Sequence, residues 1–109
     1  MTVNKLAESL NLKKLSAGED KKITSCYISD MLSRVMGGCK EGDVWITVQT
    51  SLNMVAVATL AEASCVILPE NLTAAKEVIE KATEENIQIF SSPDHAYELA
   101  KKISKLLES

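Results

Sequence analysis

The chain has 109 residues, 46% of them apolar and 25% charged, which is the size and composition of one globular domain. Its net charge of −3 excludes the concentrated basic face that binds nucleic acid. No apolar run approaches the roughly 20 residues of a membrane-spanning helix, and the amino-terminal decapeptide lacks the pattern of a signal peptide.

Three cysteines, Cys26, Cys39 and Cys65, stand at unrelated spacings. An odd number without a CxxC pair predicts neither a disulfide framework nor a zinc site. We therefore expect free thiols in the reducing cytoplasm, and no metal or cofactor.

The first third of the chain predicts two helices and two strands. Thr2 is placed to cap an amino-terminal helix, because apolar residues follow it at helical spacing. The later segments are a short strand at Lys13–Ser16, a strand at Ile23–Ile28, and a helix at Asp30–Met36 that Gly37 and Gly38 end.

The stretch from Val44 to Pro69 predicts a strand at Val44–Val48, a helix at Leu52–Ala63 and a strand at Cys65–Leu68. This helix is apolar on nearly every side, so it must be covered all round by its own domain or by a partner. Its apolar surface and two aromatic residues on strands predict an interface, formed by Tyr27, Trp45, Met54, Val55, Val57 and Ala58.

The remainder predicts a helix at Thr73–Glu85, a strand at Ile87–Phe90 and a helix at Asp94–Leu107. Three consecutive strand–helix units with short connections indicate parallel strands joined by right-handed crossovers. The fold class is therefore α/β: a single three-layer domain with a largely parallel central sheet and helices on both faces.

Most candidate chemistry in the sequence has a structural explanation. The spacing of Gly37 and Gly42 resembles a phosphate-binding loop, but Asp43 and Val44 occupy the positions of its lysine and hydroxyl residue. His95, the single histidine, lies at the start of the last predicted helix, which is typical of a surface residue. No catalytic constellation is indicated.

The corner between the Val44–Val48 strand and the following helix carries hydroxyl and amide side chains: Gln49, Thr50, Ser51 and Asn53. Ligands of open α/β sheets bind outside the carboxyl ends of strands, where helix N-termini offer free N–H groups. The alternative is that Thr50 or Ser51 only caps the helix. Both interpretations stay open from these residues.

The region from Gly18 to Leu60 resembles the DRTGG domain. Family members follow their signature with a tyrosine strand, a Ser-Asp-[LM]-L helix start and a Gly-Asp-x-Trp-[IL]-Thr-x-Gln-Thr segment, which Tyr27, Ser29–Leu32 and Gly42–Thr50 match. The signature itself is altered: Asp20 and Thr24 keep its aspartate and threonine, whereas Lys21 replaces the arginine and Ser25-Cys26 the glycine pair.

The resemblance implies a regulatory module, similar to the N-terminal domain of HPr kinase/phosphatase and to modules between CBS domains that dimerise and support nucleotide sensing. Stand-alone versions occur beside genes of iron-only hydrogenases or redox complexes. Because no catalytic constellation is indicated and the helix at Leu52–Ala63 is too apolar to be left uncovered, we expect a non-catalytic regulatory or scaffolding domain that acts as a homodimer or docks on a partner enzyme. The alternatives are an adenine-nucleotide sensor, with Asp20 and Thr24 joining the corner residues, and a serine kinase-related enzyme.

Overall fold

Helices and strands alternate along almost the whole chain in the computed structural model, which describes residues 1–108. The elements in chain order are α1 (Val3–Ser9), β1 (Lys13–Lys14), β2 (Ser25–Ile28), α2 (Leu32–Gly38), β3 (Asp43–Ile46), α3 (Leu52–Leu60), β4 (Cys65–Leu68), α4 (Lys76–Glu84), β5 (Ile89–Ser91) and α5 (Ala96–Glu108).

Five strands form one sheet in the order β1-β5-β4-β3-β2. Strands β2 to β5 are parallel to their neighbours, and β1 pairs antiparallel with β5 at one edge. From β2 to β5, each strand is added on the same side of the strand before it, so the strand order among the parallel strands contains no reversal. Ligand crevices of doubly wound sheets form at such reversals, and this sheet therefore lacks one among its parallel strands.

The two faces of the sheet are covered by different helices. Trp45, Val66 and Ile89 form a core with buried residues of α2, α3 and α4. Val44 and Phe90 form the opposite core with buried residues of α1 and α5. The predicted three-layer α/β fold with a largely parallel sheet is confirmed.

Helix α2 differs from its prediction at both ends. It begins at Leu32 rather than Asp30, because the Asp30 carboxylate accepts hydrogen bonds from the β3–α3 loop instead of lying in the first helical turn. Gly37 and Gly38 belong to the helix instead of ending it. A Cβ at Gly38 would lie 2.5 Å from the Tyr27 hydroxyl, so the glycine allows the tyrosine ring to pack against the helix.

Helix α3 is covered by its own chain on one side only. Met54, Val55 and Ala58 are fully buried between the sheet and the flanking helices α2 and α4. The opposite side carries Leu52 and Leu60, which lie about two helical turns apart and are 50% and 68% exposed. The expectation of cover all round is thus met by the domain for the inner half of the helix.

Candidate functional site

The carboxyl ends of β2 and β3 are joined by hydrogen bonds centred on Asp30. Its Oδ1 atom accepts from the Thr47 hydroxyl and from the Val48 backbone N–H, both at 2.9 Å. The Gln49 side-chain amide donates to the Asp30 backbone carbonyl at 2.8 Å. Asp30, Thr47 and Gln49 therefore hydrogen-bond to one another and hold the loop after β2 against the loop after β3.

A tryptophan extends this network into the core. The Trp45 ring is fully buried, and its Nε1–H donates to the Ser29 backbone carbonyl at 2.9 Å. The Ser29 hydroxyl accepts from the Met31 backbone N–H at 3.2 Å. A buried indole N–H needs an acceptor, which explains why tryptophan in β3 accompanies the Ser-Asp turn after β2.

The other corner residues lie outside this network. In the described chain, the side chains of Thr50, Ser51 and Asn53 have no hydrogen-bond partner, and Ser51 is the N-cap residue of α3 without a side-chain capping bond. Ser51 and Asn53 are exposed. Two exposed polar side chains and the half-buried Thr50 therefore lie beside the first turn of a nine-residue helix.

Asp20 and Thr24 lie at the opposite end of the sheet, because they precede β2 whereas the corner residues follow β3. Strand β2 alone spans roughly 13 Å at about 3.3 Å per residue. The Asp20 carboxylate accepts from the Asn4 backbone N–H at 2.8 Å, and the Thr24 hydroxyl donates to the Glu41 carbonyl at 3.4 Å. The structure thus divides the six predicted ligand residues between two separate places.

Asp20 and Thr24 line an open cleft of about 570 Å³ at this amino end. Its charged lining residues are five carboxylates and two ammonium groups: Glu19, Asp20, Glu41, Glu62, Glu85, Lys21 and Lys22. Carboxylates outnumber lysines, so the cleft repels phosphate groups. No local pattern in the sequence marks Glu41, Glu62 and Glu85 as neighbours, because only the fold brings them together.

Four of the six predicted interface residues, Trp45, Met54, Val55 and Ala58, are fully buried in the core of a single chain. Tyr27 and Val57 are half-buried. The Tyr27 hydroxyl donates to the Arg34 carbonyl at 3.2 Å, which fixes the ring against α2. The exposed large apolar side chains lie elsewhere: Ile28, Met31, Met36, Val48, Leu52, Leu60 and Tyr97.

The thiols are held in their neutral form. Burial raises the pKa of Cys65 to about 12, and burial together with the Asp43 charge raises the pKa of Cys26 and Cys39 to about 11. His95 is exposed and contacts Glu98 at 2.9 Å. Within residues 1–108, no group of three His, Cys, Asp or Glu side chains is arranged to hold a metal ion, and no helix there is long and apolar enough to cross a bilayer.

A buried glutamine, Gln88, lies directly before β5. The Gln88 side chain is fully buried, and its amide donates to the Asn4 side chain at 3.1 Å and to the Glu19 carbonyl at 3.2 Å. Its Oε1 atom has no partner among the described residues. Gln88 links α1 to the segment before β2, and no local pattern in the sequence indicates this role.

Fold and site together define a small α/β domain in which the polar network around Asp30 joins two loops. The profile of the DRTGG domain matches residues 5–106, and the chain belongs to the DRTGG family. A comparison with curated proteins found no match.

Among solved structures, the chain is similar to the CBS and DRTGG domains of the regulatory region of Clostridium perfringens pyrophosphatase, solved in complex with the activator diadenosine tetraphosphate. The TM-score is 0.71 at 19% sequence identity. The match covers 92% of the present chain and 44% of the pyrophosphatase chain. This similarity supports the fold.

Proposed function

We propose that the chain is a non-catalytic regulatory domain that acts by associating with a second copy of itself. The observation that carries the proposal is the distribution of exposed apolar side chains. Six of the seven large ones lie on the segments from β2 to α3, and Tyr97 lies on α5. Their concentration in one third of the chain favours a protein–protein contact, because contiguous exposed apolar patches mark such surfaces.

The polar network supports the same function. Because Asp30 joins the two loops, the exposed Met31 and Val48 beside it are held on a rigid base. A preformed apolar surface loses less conformational entropy when a partner binds. If the partner is a larger enzyme instead of a second copy, the same surface would serve for docking.

Sedimentation equilibrium over a range of protein concentrations tests the proposal. One chain has a mass of 11.8 kDa, so a dimer gives twice that value. A single-chain mass at every concentration, including the highest that stays soluble, overturns the proposed self-association. A chain that is monomeric alone but sediments with a partner enzyme would replace the homodimer by docking.

A nucleotide sensor is the second candidate function. The free polar groups of Thr50, Ser51 and Asn53 at the start of α3 favour it, since helix N-termini bind phosphate groups. The related pyrophosphatase region binds a dinucleotide activator. The acidic cleft holding Asp20 and Thr24 is the less suitable place for the same anion.

Thermal unfolding in the presence of adenine nucleotides tests this second candidate. A nucleotide at 100 times its dissociation constant stabilises the folded state by about 2.7 kcal/mol. The shift in melting temperature should disappear in a Thr50→Ala, Asn53→Ala variant and persist in Asp20→Ala. An unchanged melting temperature with adenosine mono- and diphosphates and with adenine dinucleotides removes the nucleotide-sensor function from consideration.

A further inference from the structure

The two edges of the sheet are protected to different degrees. Strand β1 has only two residues, Lys13 and Lys14, and both are exposed. Short edge strands that carry lysine resist pairing with another strand. Strand β2 at the other edge reads Ser-Cys-Tyr-Ile, without a charge or a proline. Only one edge of this sheet is therefore open to a further strand.

The free backbone groups of β2 belong to two residues. The Thr24 N–H points inward to the Gly42 carbonyl, and the Ile23 N–H points outward to the Met1 carbonyl. Because backbone direction alternates along a strand, Ser25 and Tyr27 point outward. None of their N–H or C=O groups has a hydrogen bond to the outer side within residues 1–108. Met1 blocks the edge before them.

We propose that β2 pairs antiparallel with β2 of a second copy about a two-fold axis through Cys26. This inference rests on the proposed function, and it gives the proposed self-association a defined interface. In this register Ser25 of each copy lies opposite Tyr27 of the other. Each of these two pairs exchanges two N–H···O bonds, so four hydrogen bonds satisfy every free group. The five-stranded sheet becomes a continuous ten-stranded sheet.

The side chains support this register. Ile28, 49% exposed, lies next to Ile46 on the face that α5 covers. The register puts it opposite Thr24 of the other copy, at the end of an open groove of about 290 Å³. The groove is lined by residues of β2 and α5 that include Cys26, Ala100, Ile103 and Leu107. An exposed apolar side chain of each copy therefore meets an apolar groove of the other.

The pairing is self-complementary about this axis. Thr2 of the same chain lies beside Lys22 on the outer side of the edge, so the paired segment runs from Thr24 to Ile28. Within that segment a second copy supplies both the free pairing groups of Ser25 and Tyr27 and the exposed Ile28 side chain. This combination favours a second copy over an unrelated partner.

Proline substitutions on the two edges provide a matched test. Ser25→Pro removes an N–H that has no partner in one chain but is needed in the dimer. Lys14→Pro is the control, because Leu15 donates to Ile89 and the N–H of Lys14 therefore points outward from β1. We expect a single-chain mass for Ser25→Pro and a dimer mass for Lys14→Pro. At protein concentrations too low for the dimer, where association adds no stability, both should have similar urea midpoints. A Ser25→Pro protein that remains dimeric overturns the inference.

Cys26 reports the register. Across a non-hydrogen-bonded antiparallel pair the two Cα atoms are about 4.5 Å apart, within the range of a disulfide. Diamide, which accepts the two protons and two electrons of the thiols, should give a covalent dimer of the Cys39→Ala, Cys65→Ala variant but not of Cys26→Ser. A covalent dimer through another cysteine refutes this register.

These outcomes separate the two proposals. A monomeric wild-type chain removes both the self-association and this interface. A wild-type dimer that persists in Ser25→Pro keeps the self-association and removes only the β2 pairing.

Discussion

Asp30 is expected to be the most important surface carboxylate for stability. Asp30→Ala deprives the Thr47 hydroxyl and the Val48 N–H of their acceptor. Thr47 is 1% exposed, so water replaces the lost acceptor poorly there. Hydrogen bonds to charged groups contribute about 1.5–3 kcal/mol each, and water is available to Val48; the expected loss is about 2–3 kcal/mol. For this domain size, that lowers the melting temperature by roughly 8–12 °C.

Urea unfolding followed by circular dichroism measures this loss, with two matched substitutions beside it. Asp30→Asn keeps the Oδ1 acceptor and should cost about 1 kcal/mol or less. Asp20→Ala removes an exposed carboxylate with a single backbone bond and should cost roughly 0.5–1 kcal/mol. If Asp30→Ala costs no more than Asp20→Ala, the carboxylate does not hold the two loops together.

A double-mutant cycle with Thr47→Val locates the effect. Removing the hydroxyl leaves no buried donor for Asp30 to satisfy, so the loss caused by Asp30→Ala should be smaller in that background, by about 1 kcal/mol. Additive losses would show that the 2.9 Å contact between the two side chains contributes nothing measurable.

Three further predictions concern glycines, backbone strain and pH. Gly37→Ala should stabilise the fold by roughly 0.5–1 kcal/mol, since Gly37 is helical and an added Cβ would meet nothing within 4 Å. Gly38→Ala should destabilise the fold, because its Cβ would lie 2.5–2.8 Å from atoms of the Tyr27 side chain. Chemical denaturation of the two variants compares these effects. Glu62→Gly should stabilise by about 0.5–1 kcal/mol, because Glu62 has φ 58°, and an unchanged urea midpoint would argue against strain there. The pKa of Cys65 is raised from 9.0 to about 12 by burial. The contribution of the neutral thiol to the free energy of unfolding is therefore full below pH 9 and is lost as the pH rises toward 12. Cys65→Ala should make the free energy of unfolding less dependent on pH between 9 and 12.

Several elements could be read from the sequence because their local patterns agree with their burial. Strand β4, Cys65–Leu68, has the predicted bounds, since all four residues are apolar and completely buried. Thr2 caps α1 as expected, with its hydroxyl accepting from the Lys5 N–H. The helix at Lys76–Glu84 is shorter than predicted, because residues 73–75 are extended or irregular ahead of an N-cap at Ala75.

The candidate site was less predictable because its contacts are distant in sequence. The local pattern predicts Asp30 as the first residue of a helix, yet its carboxylate oxygen Oδ1 accepts from Thr47 and Val48, which lie 17 and 18 residues later. The apolar character of α3 indicated an interface, but burial of Met54 in the same chain accounts for its inner half. Local pattern also leaves strand order undetermined, and the order decides that Asp20 lies at the opposite end of the sheet from Gln49.

The helices α1 and α5 cover the same face of the sheet, and this places the first and last helices of the described residues side by side. Met1 and Lys5 line one groove together with Leu106 and Leu107. A polypeptide that enters and leaves a domain at neighbouring points can be spliced into a loop of a host protein without stretching it. The domain is therefore suited to insertion into another protein. A short linker between α1 and α5 should give a circular permutant, opened in an exposed loop, with the same melting temperature as the original chain.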